Sequence, residues 1–232
     1  VTILGASDGA RLVQVALGFG DLLDAPHAWI RGGRVIVGWA ADNMSEVRVL
    51  EAATGAPVWS WTGPGLGTVP AVGADGVFLV ENVEVDGDVV HAAVRRLDLA
   101  TGAAVWSTPV DGPFVPLTPV ALEEDRVVVV DVDGTLRAYD TRTGTEQWHR
   151  ATRLVQLEAQ PLLTRRVAAM TTYGTGLVAL SARTGVPIRN DVPGPVQTVV
   201  TIEGSTTAPD GSILLMVRRP AGEGEVWWLR VE

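Results

Sequence analysis

Short apolar runs, each preceded by a polar or glycine-containing turn, recur along the chain. They lie at 34–39, 76–80, 126–131, 166–170 and 212–217. Runs of this length and β-branched character are typical of buried strands entered through hairpins. Residues 12–23 come closest to a helical apolar stripe, but Gly18 and Gly20 interrupt it. The pattern therefore predicts an all-β chain.

A motif built around a Thr-Gly pair is repeated at nearly constant spacing. It comprises Thr143, Gly144 and Trp148, and it recurs as Thr54, Gly55 and Trp59, as Thr101, Gly102 and Trp106, and as Thr184 and Gly185, where Arg189 replaces the Trp. With a degenerate copy at Gly9, the motif glycines are 46, 47, 42 and 41 residues apart. A period in this range, with several strands per unit, predicts the four-stranded antiparallel blades of a β-propeller.

The chemistry of the motif explains its composition. A tight turn between the third and fourth strands needs a residue that tolerates positive φ, which glycine does. The Asp or Thr before it can hydrogen-bond to the amides of the turn. A Trp four residues after the glycine lies on the outer strand, where its large ring can cover the seam between blades.

The spacing predicts one domain, 1–232, with five blades. The repeats are 27–61, 69–108, 117–150 and 157–191, plus a last blade made of 199–232 and 1–14. In that last blade the N-terminal strand Arg11–Gln14 supplies the fourth strand, which would pair an otherwise free edge. Val1–Leu4 also resembles a third strand. The alternative is that the chain is a segment of a larger ring, and the family resemblance described below implies seven or eight blades.

Composition excludes several chemistries. All 18 basic residues are Arg and there is no Cys, which removes catalytic lysines, disulfides and thiolate metal sites. A formal charge of −9 disfavours nucleic acid as a partner. No apolar run is long enough to span a membrane. Because the chain starts at Val1, we expect an upstream signal or anchor segment to have been removed.

Residues with metal-binding or catalytic potential have simpler explanations. Asp131–Gly134 resembles the start of a calcium loop, but it falls where each blade needs a hairpin turn, and we favour the turn. The acidic stretch Glu81–Asp88 is interpreted as solvated charge at a loop tip, with cation binding as the alternative. His27, His91 and His149 lie in different repeats without metal-ligand spacing. We predict no metal, cofactor or catalytic residue.

The eight Trp residues suggest a site where sugars stack on aromatic rings. Trp59, Trp106 and Trp148 belong to the repeat, and Trp227-Trp228 places one ring on each face of a strand. Trp29, Trp39 and Trp61 fall outside the repeated position. They are the candidates for surface aromatics that bind a ligand, with packing as the simpler alternative.

The repeat resembles that of the pyrroloquinoline-quinone-like (quinoprotein-type) β-propellers, which include the outer-membrane assembly lipoprotein propellers. The best match is Leu97-Asp98-Leu99-Ala100-Thr101-Gly102-Ala103-Ala104-Val105-Trp106, and the stretch from Tyr139 to Trp148 is nearly as good. Glu51 and Ser181 replace the Asp in two other copies. The resemblance covers essentially the whole chain.

This resemblance implies a non-catalytic binding or scaffold module outside the cytoplasm, whether periplasmic, secreted or on the cell surface. We expect its loops to meet a protein or glycan partner, and any membrane attachment to run through a segment absent from this sequence. Some relatives are sensor regions of membrane-anchored receptors. The rival hypothesis is a quinone-dependent dehydrogenase, which would imply calcium, an Asp base and usually a vicinal disulfide. The lack of Cys disfavours it, and a hydrolase has no positive sign.

Overall fold

The structure is a computed structural model that describes residues 2–4, 11–14, 26–41, 44–64, 70–85, 89–110, 121–123, 125–131, 134–152, 162–172, 176–188, 201–207, 213–218 and 224–229. Every regular element in these ranges is a β-strand. The all-β prediction is therefore confirmed. Within the same ranges, no helix has the length and apolar character needed to cross a membrane.

The chain divides into two compact units, Val1–Val115 and Pro116–Glu232. The first unit contains a hairpin, β1 (Thr2–Leu4) and β2 (Arg11–Gln14), and two four-stranded sheets. One sheet comprises β3 (His27–Arg31), β4 (Arg34–Ala41), β5 (Met44–Glu51) and β6 (Pro57–Pro64); the other comprises β7 (Ala71–Val72), β8 (Gly76–Val85), β9 (Val89–Asp98) and β10 (Ala104–Val110). Each sheet is an antiparallel meander in chain order.

The second unit repeats this plan. One sheet has four strands, β11 (Ala121–Glu123), β12 (Arg126–Val130), β13 (Thr135–Asp140) and β14 (Glu146–Ala151). Two sheets have three described strands, β15 (Leu162–Leu163), β16 (Val167–Thr172) and β17 (Gly176–Ser181), and β18 (Thr201–Thr207), β19 (Ile213–Arg218) and β20 (Gly224–Leu229). An isolated antiparallel bridge pairs Pro187 with Leu180 of β17. The predicted four-stranded antiparallel unit is confirmed.

The N-terminal residues form a strand pair of their own. Thr2 lies opposite Gln14 and Ile3 lies opposite Val13, so β1 and β2 are related as the third and fourth strands of the other sheets. Thr2–Leu4 is thus a strand, and its place as the third strand of a blade stays a prediction. Closure of the last blade by Arg11–Gln14, and the number of blades, stay predictions.

The core of each unit lies between successive sheets. In the first unit it comprises Ile36, Val47, Val49, Val72, Val77, Leu79, Leu97 and Leu99. In the second it comprises Val128, Val130, Leu136, Ala138, Trp148, Ala168 and Leu180. Alternate residues of a strand share one face of the sheet, which is why the β-branched runs of the sequence supply these positions. Full burial of each such side chain stabilises the fold by about 1.5–3 kcal/mol.

The meander gives every four-stranded sheet two different ends. The first and third hairpins lie at one end, which we call the turn end. The second hairpin and the connection to the next sheet lie at the other, which we call the connection end. Because the Thr-Gly motif forms the third hairpin, it always lies at the turn end.

Candidate interaction surface

The Thr-Gly motif forms the same turn in all four described copies. The motif glycines have φ values of 71°, 73°, 72° and 65°, in the left-handed region that favours glycine. Their amides bond to the carbonyl four residues earlier, for example Gly144 to Asp140 at 2.9 Å. Each Thr hydroxyl accepts a hydrogen bond from the amide two residues on, at 3.2–3.4 Å. The sequence-based interpretation of the pair as a turn is confirmed.

An aspartate at the start of the turn holds it in two copies. Asp140 Oδ1 accepts bonds from the amides of Arg142 and Thr143, both at 2.9 Å, and from the Thr143 hydroxyl at 3.0 Å. Asp98 makes the same bonds to Ala100 and Thr101 at 2.8–3.0 Å. Such Asx turns replace backbone contacts with side-chain ones. These carboxylates are therefore committed to the turn.

The same bonds lower the pKa of both carboxyls. At Asp98 the largest cause is the hydrogen bond from the Thr101 hydroxyl, followed by the Thr101 amide. At Asp140 burial raises the pKa, but the Thr143 amide and hydroxyl outweigh it, and the net pKa is lowered. Donors stabilise the charged form of a carboxylate. Both groups are thereby held as anions.

A β-bulge after each turn sets the face on which the Trp lies. Val49 is opposite Trp59 but Leu50 is opposite Pro57, so Val58 is an extra residue in β6. The same shift occurs in β10 and β14, between the turn and Trp106 or Trp148. A one-residue shift moves the following side chains to the other face of the sheet. The bulge thus directs the Trp toward the seam between sheets.

The Trp rings cover the glycine of the following repeat. Trp59 Nε1 donates to the carbonyl of Leu99 at 3.0 Å, and Trp148 Nε1 donates to that of Ala182 at 2.9 Å. A Cβ atom added to Gly102 would lie 2.7 Å from the ring of Trp59. One added to Gly185 would lie 2.7 Å from the ring of Trp148. The motif glycine therefore serves two purposes, the turn and the close approach of the ring.

The three Trp residues outside the repeat are also used in packing. Trp39 is 1 % exposed, and the Arg48 guanidinium lies 5.1 Å from its ring centre. Its proposal as a surface aromatic is therefore wrong, because its ring is enclosed. Trp29 and Trp61 are half-buried against the core of the first unit, and Trp29 stacks on His27 at 6.0 Å. The described aromatics do not form an open platform for a sugar.

Two ion pairs, which sequence analysis could not assign, lie on the second sheet. Glu81 is 9 % exposed, and its carboxylate lies 2.6 Å from Arg95. Arg96, on the opposite face, pairs with Asp75 at 2.9 Å. Adjacent strand residues point to opposite faces, which is why the Arg pair is split. The interpretation of Glu81 as solvated loop charge is wrong, and Asp86–Asp88 lie outside the described residues.

The other polar candidates also have structural partners. Asp131 Oδ1 accepts the Thr135 amide at 2.8 Å, and the Gly134 amide bonds to the Asp131 carbonyl, which confirms the turn interpretation. His149 bonds to Glu146 at 2.7 Å. The described part of the chain contains no group of three or more His, Cys, Asp or Glu residues that could hold a metal ion. The side chain of His91 is not described.

The outer strands are poor candidates for contact by strand pairing. β6 has Pro57 and Pro64 at its two ends, and β10 has Pro109 near its end. β14 carries Glu146, His149 and Arg150 instead. Proline and charge on an edge strand oppose the addition of another strand. The connection end is therefore the remaining candidate for a contact surface. At that end, Met44 lies beside the second hairpin of its sheet and is 38 % exposed.

Several known proteins are similar to this chain in sequence or in fold. A family model described as outer membrane protein assembly factor BamB matches residues 43–209. No curated protein matches the chain. Among solved structures, BamB from Moraxella catarrhalis is 18 % identical with a TM-score of 0.58, over 99 % of this chain and 70 % of that one. Saccharomyces cerevisiae Sqt1 is 11 % identical with a TM-score of 0.65, over 99 % of this chain and 65 % of Sqt1.

The structure of a dehydrogenase is also similar. A europium-containing methanol dehydrogenase is 13 % identical with a TM-score of 0.54, over 82 % of this chain and 52 % of that one. At such identities these three likenesses show a shared fold only. They confirm that the four-stranded sheets correspond to propeller blades.

Proposed function

Because the chain belongs to the family of the outer membrane protein assembly factor BamB, we propose that it is a non-catalytic binding or scaffold module. We further propose that it acts outside the cytoplasm and that its partner is a protein. The name of the family supports both the location and a role in assembly. The binding surface that we propose is the connection end of the sheets.

One observation carries this proposal: the polar groups of the repeated motif are already hydrogen-bonded within the fold. The Thr hydroxyls and the two Asp carboxylates bond to the turns, and the indole N–H groups of Trp59 and Trp148 bond to the next repeat. Side chains fixed in this way are not free to bind a partner. Loops on a rigid scaffold are the usual carriers of function, which favours the connection end.

The lengths of the segments between sheets also favour the connection end as the binding surface. The chain runs from residue 111 to 120 between β10 and β11, and from 152 to 161 between β14 and β15. The hairpins at the turn end need only a few residues. The longer segments therefore offer more sequence for a specific surface, and they all join the connection ends.

A protein partner is favoured over a glycan by the placement of the aromatics. Sugars are usually bound on exposed rings, whereas Trp39 is buried and Trp29 and Trp61 pack against the core. The likeness to a methanol dehydrogenase is a likeness of fold and supplies no residue for quinone chemistry. The dehydrogenase thus stays the weaker hypothesis.

Site-specific photocrosslinking in cells that make the protein tests this proposal. A photoreactive phenylalanine analogue replaces Met44 at a connection end or Arg142 at a turn end; both residues are exposed. We expect protein adducts of defined mass from position 44 and none from position 142. Adducts from position 142 alone, or from neither position, would contradict the proposed surface. Protease treatment of spheroplasts checks the location, since an extracytoplasmic protein is accessible.

A further inference from the structure

The strand β3 has an unusual edge for an otherwise well-covered sheet. It is the first strand of its sheet, and it has no second neighbour among the described strands. Four of its five residues are exposed, and Ile30 is 64 % exposed. In the next sheet the equivalent strand β7 is buried, with Ala71 at 8 % and Val72 at 7 %. We call the free side of β3, residues His27–Arg31, the β3 edge.

The backbone of the β3 edge has hydrogen-bonding groups that do not bond to β4. Gly32 and Gly33, with φ of 54° and 75°, form the two-residue turn that sets Arg31 opposite Arg34. Residues in an antiparallel pair alternate between bonding to the neighbour and facing away. Arg31, Trp29 and His27 then bond to β4, while the amides and carbonyls of Ala28 and Ile30 face the free side. The Ile30 carbonyl accepts a bond from Arg31 Nη1 at 3.1 Å, which agrees with this register.

The β3 edge also lacks the prolines of the outer strands β6 and β10. The outer strands carry Pro57, Pro64 and Pro109, whereas no proline lies within β3. An exposed edge with apolar side chains and free amides is a template for an added strand. Ile30 supplies the apolar contact, and Ala28 and Ile30 supply two pairs of backbone groups.

The charges around the β3 edge define its partner. Residues 26–34 contain no carboxylate, although the whole chain has a net charge of −9. Arg34 pairs with Glu51 at 3.5 Å, but the exposed Arg31 guanidinium bonds only to the Ile30 carbonyl among the contacts of the described residues. Opposite charges on neighbouring strands are favourable, and an acidic partner would suit Arg31.

We propose that the β3 edge binds an extended acidic segment of a partner protein by strand addition. The segment pairs with the amides and carbonyls of Ala28 and Ile30, covers Ile30 with an apolar residue, and places a carboxylate on Arg31. Arg31 moves from the Ile30 carbonyl to that carboxylate and frees the carbonyl for the new strand. This inference rests on the proposed binding role and adds a second contact surface, the β3 edge, to the connection end.

Fluorescence anisotropy with two labelled model peptides tests the inference. Each peptide is about eight residues long, the span of an ordinary strand; one alternates glutamate with valine and the other lysine with valine. Ile30→Pro removes an amide that faces the free side, where proline is compatible with the strand. Ile30→Val keeps that amide and an apolar side chain. Arg31→Glu reverses the charge.

We expect the acidic peptide to bind the unaltered chain and Ile30→Val equally, and Ile30→Pro at least about tenfold more weakly. Arg31→Glu should prefer the basic peptide. Hydrogen exchange should slow at Ala28 and Ile30 when the acidic peptide binds. The unfolding midpoints of all variants show whether each variant is folded. If Ile30→Pro is unstable, the peptide preference of Arg31→Glu tests the inference by itself.

Three results would overturn the inference: no binding of the acidic peptide to the unaltered chain, equal binding by Ile30→Pro and Ile30→Val, or equal binding of the basic peptide. If the peptide fails while position 44 still gives crosslinks in cells, the binding role stands and the β3 edge is excluded. If position 44 also gives no adducts, the proposed function fails as well.

Discussion

The carboxylates of Asp98 and Asp140 show how a single side chain determines a turn. Each accepts two amides and one hydroxyl within its own hairpin, and each has a lowered pKa. The sequence predicts this role because an Asp three residues before a Thr is suited to an Asx turn. Glu51 and Ser181 occupy the same position in turns of the same backbone geometry, so the turn also forms without Asp.

Protonation of these two carboxylates should destabilise the chain in acid. Their pKa values are lower in the folded than in the unfolded chain, so their contribution is fully present above about pH 4 and is lost as pH falls through the folded values. We expect Asp98→Asn/Asp140→Asn to be less stable at pH 7 and to lose less stability than the unaltered chain between about pH 4 and 2. Urea unfolding across this range measures both. Parallel curves for the two proteins would contradict the role of the carboxylates.

The indole N–H of Trp148 gives a second residue-level prediction. Its acceptor, the Ala182 carbonyl, belongs to the next repeat, and Trp148 is 9 % exposed. Trp148→Phe should lower the free energy of unfolding by about 1–3 kcal/mol, because the carbonyl loses its donor and the smaller ring leaves a gap. Trp59→Phe, in a less buried copy, is the matched variant and should lose less. An unchanged stability in Trp148→Phe would show that the bond contributes nothing.

Sequence analysis could not foresee that bond. Trp148 and Ala182 are 34 residues apart, and Trp59 and Leu99 are 40 apart. Local spacing predicts a ring on the outer strand, but only the stacking of one sheet on the next identifies the atom that it meets. Trp39 was misassigned for the same reason, since its burial depends on what covers its face of the sheet.

At the scale of elements, the strands were predictable because alternation and turn chemistry are local. The run 34–39 became β4, which continues to Ala41 and pairs with β5 over eight residues. The bulges were not predicted, since one extra residue in a strand leaves the hydrophobic pattern almost unchanged. They nevertheless decide which face receives the Trp.

Removal of a bulge residue should therefore be far more harmful than truncation of its side chain. Val105, the extra residue of β10, is 48 % exposed, so Val105→Ala should change stability by less than about 0.5 kcal/mol. Deletion of Val105 should turn Trp106 to the wrong face and abolish cooperative unfolding of the first unit. Near-ultraviolet circular dichroism and denaturant curves compare the two. A deletion variant as stable as Val105→Ala would refute the role of the bulge.

At the scale of the whole molecule, each unit repeats similar sheets, and in each unit a motif Trp bonds to the next repeat. In tandem repeats, stability is approximately the sum of the terms for each repeat and for each interface with its neighbour. The period of the motif predicted the repeated sheets, and the resemblance of its residues to a known repeat predicted the family. The partner was not predictable, because the connections that would carry it follow no repeat.

The central claim is that the repeated motif holds one sheet against the next, because its Trp ring packs on the glycine of the following repeat. Two glycine substitutions test this claim directly. Gly102 and Gly33 have nearly equal φ values, 73° and 75°, but only Gly102 lies under a ring; a Cβ at Gly33 would meet nothing within 4 Å. Alanine at either position costs about 1–2 kcal/mol in the left-handed region. Crowding against Trp59 should add about 1–3 kcal/mol at Gly102 alone.

The measurement is the free energy of unfolding of Gly102→Ala beside Gly33→Ala, under the same conditions. A clearly larger loss for Gly102→Ala is the predicted result, because the Trp59 ring must move away from the turn that it covers. Equal losses would contradict the account, since the glycine would then serve its own turn only.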